Sequence, residues 1–244
     1  GLVHRRDALA PGQRSAEFDP LVDAERLDQA FESRHLRAVA DESGRMSEDP
    51  ADELTAAVAG ARAYEDLHVN ALFRQWAEPV LAAAAVAEGD RVLDVACGTG
   101  VVARTAIGRV GPEGAVTGLD IGPAMLAVAE QIEPSVDWIE GTAGDLPFDD
   151  GAFDAVVSQF GLMFFPDRVG AIREMLRCVR PGRAVVVAVW EALERSAAYP
   201  IAVDLLERLA GSEAADALRA PFSLGDPDAL RELFVSAGAS SVEV

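Results

Sequence analysis

The chain has 244 residues, half of them apolar, which suits one large domain, or a domain with a helical extension, around a sizeable core. Its 41 acidic residues outweigh 21 basic ones, a formal charge of −20 that repels phosphate backbones and anionic lipid. All 21 basic residues are Arg, so Lys-dependent Schiff-base and phosphate-loop chemistry is excluded, and the two Cys, at 97 and 178, make neither a zinc site nor a disulfide scaffold.

Residues 1–17 read as a loose arm, with no signal-peptide pattern. Asp19-Pro20 is a helix start, and Leu27, Phe31, His35 and Val39 at four-residue steps predict a helix over residues 20–40. A polar break over 41–50 precedes a second helix over 51–63. Residues 64–76 read as helical, and Pro79 opens a further helix that ends at Gly89. No charge-free apolar run reaches about 18 residues, so no transmembrane helix and no membrane insertion are expected, and the default location is cytoplasmic.

The pattern changes at Arg91. Strands are expected over 92–96, 115–120, 135–140, 153–158 and 184–190, alternating with helices over 101–110, 123–131 and 167–179, the last closed by Arg180-Pro181-Gly182. This rhythm predicts an α/β, Rossmann-like, doubly wound and mainly parallel sheet with an N-terminal helical extension. Asp226-Pro227 caps a last helix ending near Gly238, and 241–244 begins a sixth strand. Two parts are expected: residues 1–63 as an arm with lid helices, and 64–244 as the cofactor domain.

Asp94-Val95-Ala96-Cys97-Gly98-Thr99-Gly100 stands where a strand gives way to a helix. Gly98 and Gly100 let the backbone turn tightly against a ligand, whose polar groups meet free N–H groups at the helix start. As spacing alone, Gly98-x-Gly100-x-x-Ala103 with Asp120 further on fits any adenosine-containing cofactor, nicotinamide or S-adenosylmethionine. Three features favour the second. A carboxylate at Asp94 suits a cofactor with a positive amino group and sits poorly beside a pyrophosphate. Gly144-Asp145-Leu146-Pro147-Phe148 offers an acceptor and apolar residues for an adenine ring. The strand 153–158 runs into a loop of large apolar residues, Phe160 to Pro166.

The motifs Val92 to Gly100, Gly118-Leu119-Asp120-Ile121 with Met125-Leu126, Gly144 to Phe148, Phe153 to Val157 and Arg180-Pro181-Gly182 resemble the class I S-adenosylmethionine-dependent methyltransferases. Within them the chain is similar to the ubiquinone/menaquinone-biosynthesis methyltransferases of small molecules. The likeness runs over about 64–183. It departs at Ala96, where the family usually has Gly, and at Arg183, where a second Gly is usual.

The resemblance implies S-adenosyl-L-methionine as cofactor and methyl transfer to a quinone, phenol or natural-product-like acceptor, with no nucleic-acid partner. Asp94 would meet the methionine amino group beside Ala96, Gly98 and Gly100. Asp120 would take the ribose hydroxyls, the alternative being a strand-end cap of the next helix. Asp145 would meet the adenine amino group, with Ile121 and Leu146 flanking the ring. Ser158 would touch cofactor, and Gln159 and Phe160 substrate. Tyr64 would belong to a lid over the methionine end, and His68 is the nearest histidine, with a surface or core role as its alternative. No metal site and no committed catalytic base are expected. The competing readings are a nicotinamide-dependent oxidoreductase and a non-catalytic cofactor-binding partner. Folds of this family continue into a seventh strand, for which no residues remain here. The expectation is an exposed edge on the fifth strand, closed by a homodimer or by pairing of strands five and six, or a chain cut short of its natural end.

Overall fold

Five apolar segments form the strands of one parallel sheet in the computed structural model, which describes residues 50–244. They are β1 (Arg91–Val95), β2 (Ala115–Asp120), β3 (Asp137–Glu140), β4 (Phe153–Gln159) and β5 (Val179–Ala188), in the order β3-β2-β1-β4-β5. Ala56–Val244 packs as one unit. The arm and the helix expected over 20–40 lie outside the described residues.

Alternation along the strands sends side chains to two separate cores. Val92, Val116, Ala155 and Val157 face α2 (Arg74–Ala83) and α3 (Val101–Val110), where they meet Val80, Leu81, Val102 and Ala106. Leu93, Val95, Leu119 and Val156 face α5 (Arg168–Cys178) and α8 (Pro227–Ala237), where they meet Ile172, Met175, Leu230 and Phe234. Each fully buried side chain of this size contributes about 1.5–3 kcal/mol. The remaining helices are α1 (Pro50–Tyr64), α4 (Pro123–Ile132), α6 (Tyr199–Ala210) and α7 (Ser212–Arg219). Among the described residues no helix is long and apolar enough to cross a membrane.

Three expectations need correction. Residues 64–76 are not one regular helix: Glu65–Phe73 winds as a π-helix between α1 and α2. Pro79 does not open a helix but sits inside α2, which ends at Ala83, before Gly89. Proline's fixed φ suits a helix, and its cost there, about 3 kcal/mol, is offset by burial of Ala77, Val80 and Leu81. The sixth strand over 241–244 is not formed. The Arg231 guanidinium takes the Val242 carbonyl at 2.6 Å, and Val242 and Val244 pack on the core instead.

The turn Arg180-Pro181-Gly182 lies within β5 as a bulge: Phe153 pairs with Val179, but Ala155 pairs with Ala184. Asp154 holds the bulge, its carboxylate pairing with Arg180 and its carbonyl accepting from Arg183 at 2.7 Å.

Strand order reverses between β1 and β4, and their carboxyl ends part there, as ligand crevices of open α/β sheets require. On the β2 side, Gly100 and Gly118 flank the Trp138 indole so closely that a Cβ at either position would run into it. The Trp138 Nε1–H is held by the Glu133 carbonyl at 2.9 Å, so the ring has little freedom to withdraw. Gly118→Ala is therefore expected to lower stability by about 1–3 kcal/mol. Gly108→Ala, in an open position inside α3, should raise it by about 0.5–1 kcal/mol. Chemical denaturation of both variants checks the pair.

Candidate functional site

Beyond the carboxyl ends of β1, β2 and β4 lies a cavity of about 520 Å³. Its floor begins with Asp94, which is 1% exposed. The Oδ2 of Asp94 accepts the Ala103 N–H at 3.0 Å, while Oδ1 has no partner. Burial pushes this carboxyl up to about 7; the nearby Asp120 charge adds to the rise, and the Ala103 N–H opposes it.

The chain then turns through left-handed conformations at Ala96 (φ 57°), Gly98 (φ 56°) and Gly100 (φ 85°) before α3 begins. For Ala96 this costs about 1–2 kcal/mol. Asp120 pins the turn from the end of β2. Its Oδ2 accepts the Gly98 N–H and its Oδ1 the Gly122 N–H, both at 2.8 Å. Neither bond caps the first turn of α4, whose N-cap Gly122 has no side-chain cap, and each oxygen keeps a lone pair for a further donor.

Eight of the expected residues line the cavity: Tyr64, Asp94, Ala96, Gly98, Asp120, Ile121, Gln159 and Phe160. Five do not. Gly100 faces Trp138. Asp145 is exposed in a turn closed on Thr142. Leu146 is buried in the core, its N–H held by Glu174 at 3.1 Å. Ser158 is fully buried with its Oγ unpartnered. His68 is exposed, stacked on Tyr64 at 5.6 Å. In place of Asp145 and Leu146, Thr142, Ala143 and Gly144 reach the cavity. Segments 64–76 and 160–165 supply Tyr64, Val69, Phe73, Phe160, Phe164 and Phe165 to the lining, whereas Trp76 does not line it.

The far wall is aromatic. Phe160, itself left-handed at φ 57°, stacks on Trp190 at 4.3 Å and 12°, and Phe73 tilts against both. Trp190 follows the end of β5, and nothing local to the end of a strand says which way its ring turns. Tyr64 also lines the cavity; burial first, then the Asp120 and Glu65 charges, push its hydroxyl up to about 12, so it stays protonated.

Sequence reasoning missed Glu65, which is 5% exposed in the π-helix. Its Oε2 accepts the Thr99 hydroxyl at 2.6 Å, and both oxygens accept the Arg104 guanidinium at 2.8 and 2.9 Å. This network ties the π-helix to the turn after β1. Glu65 and Arg104 are 39 positions apart, and no periodicity relates them. Among the described residues no cluster of three or more His, Cys, Asp or Glu could hold a metal.

A model of the ubiE/COQ5 methyltransferase family matches residues 62–201. Demethylmenaquinone methyltransferase of Staphylococcus carnosus is 33% identical over 202 residues, 74% of this chain and 82% of that protein. The chloroplastic 2-phytyl-1,4-beta-naphthoquinone methyltransferase of Arabidopsis thaliana is 39% identical over 122 residues, 47% of each chain. The chain spans about half the length of this and several other curated relatives it matches. In fold it is similar to a Methanococcus maripaludis protein classed with S-adenosyl-L-methionine-dependent methyltransferases (TM-score 0.58, 15% identity, 81% of this chain and 90% of that one).

Two outcomes are expected from the buried carboxylates. Because the folded Asp94 carboxyl titrates near 7, above its ordinary value of 3.8, its stabilising protonated form is fully present below about pH 4. That contribution is lost as pH rises through 7. Asp94→Asn should therefore stabilise the protein at pH 8, by up to about 4 kcal/mol and with a higher melting temperature, and leave it nearly unchanged at pH 4. Glu65→Ala strands the Arg104 charge and should cost about 3–5 kcal/mol, read by urea unfolding.

Proposed function

This chain belongs to the ubiE/COQ5 methyltransferase family, and we propose that it transfers a methyl group from its cofactor, S-adenosyl-L-methionine, to a small organic acceptor: a quinone, a phenol or a similar natural product. The observation that carries the reading is the buried Asp94, with one oxygen spent on the Ala103 N–H and the other unpartnered at the glycine turn. A cationic amino group there would restore the ionised form that burial disfavours. A dinucleotide pyrophosphate would meet that carboxylate with like charge, so the oxidoreductase alternative is not favoured.

When bound, S-adenosyl-L-methionine supplies an activated sulfonium methyl that a nucleophile takes by direct displacement. Asp94 would hold its amino group, and Asp120 would accept from the ribose hydroxyls with its remaining lone pairs. Ile121, Met125 and the segment from Thr142 to Gly144 line the side where the adenine would lie. Tyr64 and the π-helix cover the opposite end, locked down by Glu65.

The acceptor then falls to the aromatic wall of Phe73, Phe160 and Trp190. Such a site works by alignment and by exclusion of water. Positioning of this kind is worth about 7–11 kcal/mol in favourable cases and needs no dedicated base when the nucleophile is already electron-rich.

Calorimetry should show binding of S-adenosyl-L-methionine and of its demethylated product, with no binding of NAD. Asp120→Ala should weaken cofactor binding about ten- to hundredfold, through the loss of hydrogen bonds worth about 1–3 kcal/mol. Mass spectrometry of reactions with a panel of quinols and phenols should show a product heavier by one methyl. Binding of NAD in place of S-adenosyl-L-methionine, or an unmodified panel, would overturn the proposal.

A further inference from the structure

We propose that α6 joins two copies of this chain: its outer apolar ridge, Ile201, Leu205 and Leu209, packs on the same ridge of a second copy running antiparallel. The inference is independent of the methyltransferase reading, since no residue of α6 lines the cavity.

Of nine large hydrophobic side chains exposed among the described residues, three stand on this one helix. Ile201 is 71% exposed, Leu205 46% and Leu209 77%. Four-residue steps put them on one face as a continuous ridge, the surface by which helices pack on each other. Only Val203 of α6 is buried. Ile121 and Phe164, also exposed, are accounted for by the cavity they line.

The charges beside the ridge say what covers it. Asp204 and Arg208 stand one turn apart on one flank, where with Ile201 and Glu207 they surround a shallow concavity. Glu207 is spent on α7, taking the Arg219 guanidinium at 2.5 Å. Arg208 donates only to the Asp204 carbonyl, at 3.4 Å. Among the described residues neither its guanidinium nor the Asp204 carboxylate has an ion partner.

A two-fold axis that pairs the ridges antiparallel sets each flank against the same flank run in reverse. With the axis near Leu205, Asp204 meets the partner's Arg208, and symmetry forms the pair twice. Parallel pairing would put like charges side by side. At a formal charge of −20 per copy, general repulsion opposes association, so a face that joins copies needs opposite charges of its own. The helix has 12 residues and is about 18 Å long. One such helix on each side falls short of the roughly 1,200–2,000 Å² of a standard stable interface. The dimer is accordingly weak, with Kd on the order of 10–100 μM.

The test is sedimentation equilibrium of the full chain from about 5 to 500 μM. The wild-type protein should pass from monomer to dimer across that range. Leu205→Asp and Leu209→Asp, both at exposed positions, should stay monomeric with unchanged circular dichroism. Arg208→Asp should weaken the dimer about tenfold or more, and so should Asp204→Arg. The double exchange, Asp204→Arg with Arg208→Asp, should restore most of the association, which an apolar surface without charge register would not do. A wild-type chain that is monomeric throughout leaves the ridge to a different occupant and overturns the inference. A dimer that survives Leu205→Asp places the contact elsewhere and also overturns it, as does a double exchange no better than the single variants.

Discussion

Asp120 holds together the one stretch of backbone that could not otherwise keep its shape. The turn after β1 passes through three left-handed residues, one of them alanine, and offers no regular ladder of hydrogen bonds. From the end of β2, Asp120 takes the Gly98 N–H with one oxygen and the Gly122 N–H with the other. The Cys97 N–H meanwhile bonds the Leu119 carbonyl at 3.0 Å. The first and second strand-end loops are thereby fixed to each other. The placement of Asp94, the start of α3 and the floor of the cavity all follow from that junction.

Two buried carboxylates above this junction illustrate opposite solutions to the same problem. Glu65 is fully satisfied, by Thr99 and by both oxygens on Arg104, and it serves as a latch between the π-helix and the turn. Asp94 is half satisfied, and burial raises its carboxyl to about 7. A satisfied group stabilises the scaffold, whereas an unsatisfied one stores unfavourable energy that a cationic ligand relieves. Gln159 repeats the second pattern with a neutral group: its Nε2 donates to the Phe73 carbonyl, and its Oε1 is buried without a partner.

The parallel sheet and its two apolar faces were legible from residue order. Short Val-rich runs alternating with helices leave little choice but a doubly wound sheet, and α3, β2 and α8 fall where capping and periodicity put them. The π-helix was not legible, since no local pattern marks its winding and its Glu65 bonds Thr99 and Arg104, far along the chain. The last four residues read as a strand by composition, yet Arg231 claims the Val242 carbonyl and the valines dock on the core. Asp145 and Leu146 read as cofactor contacts by motif. The turn that carries them instead closes on Thr142 and presents the residues just before them.

By itself the amino-acid order determined the βα rhythm, the glycine turn and the acids around it, and hence the kind of cofactor, because these depend on spacing within one strand–turn–helix unit. Only the tertiary structure decided which of those acids is buried with an oxygen unpartnered, which glycines lie against a tryptophan, and which aromatic rings meet in one wall. Those outcomes depend on contacts between segments far apart in the chain. Gly100 meets Trp138, Glu65 meets Arg104, and Phe73 meets Phe160. Such contacts form only when packing brings the segments together, and no local periodicity encodes them.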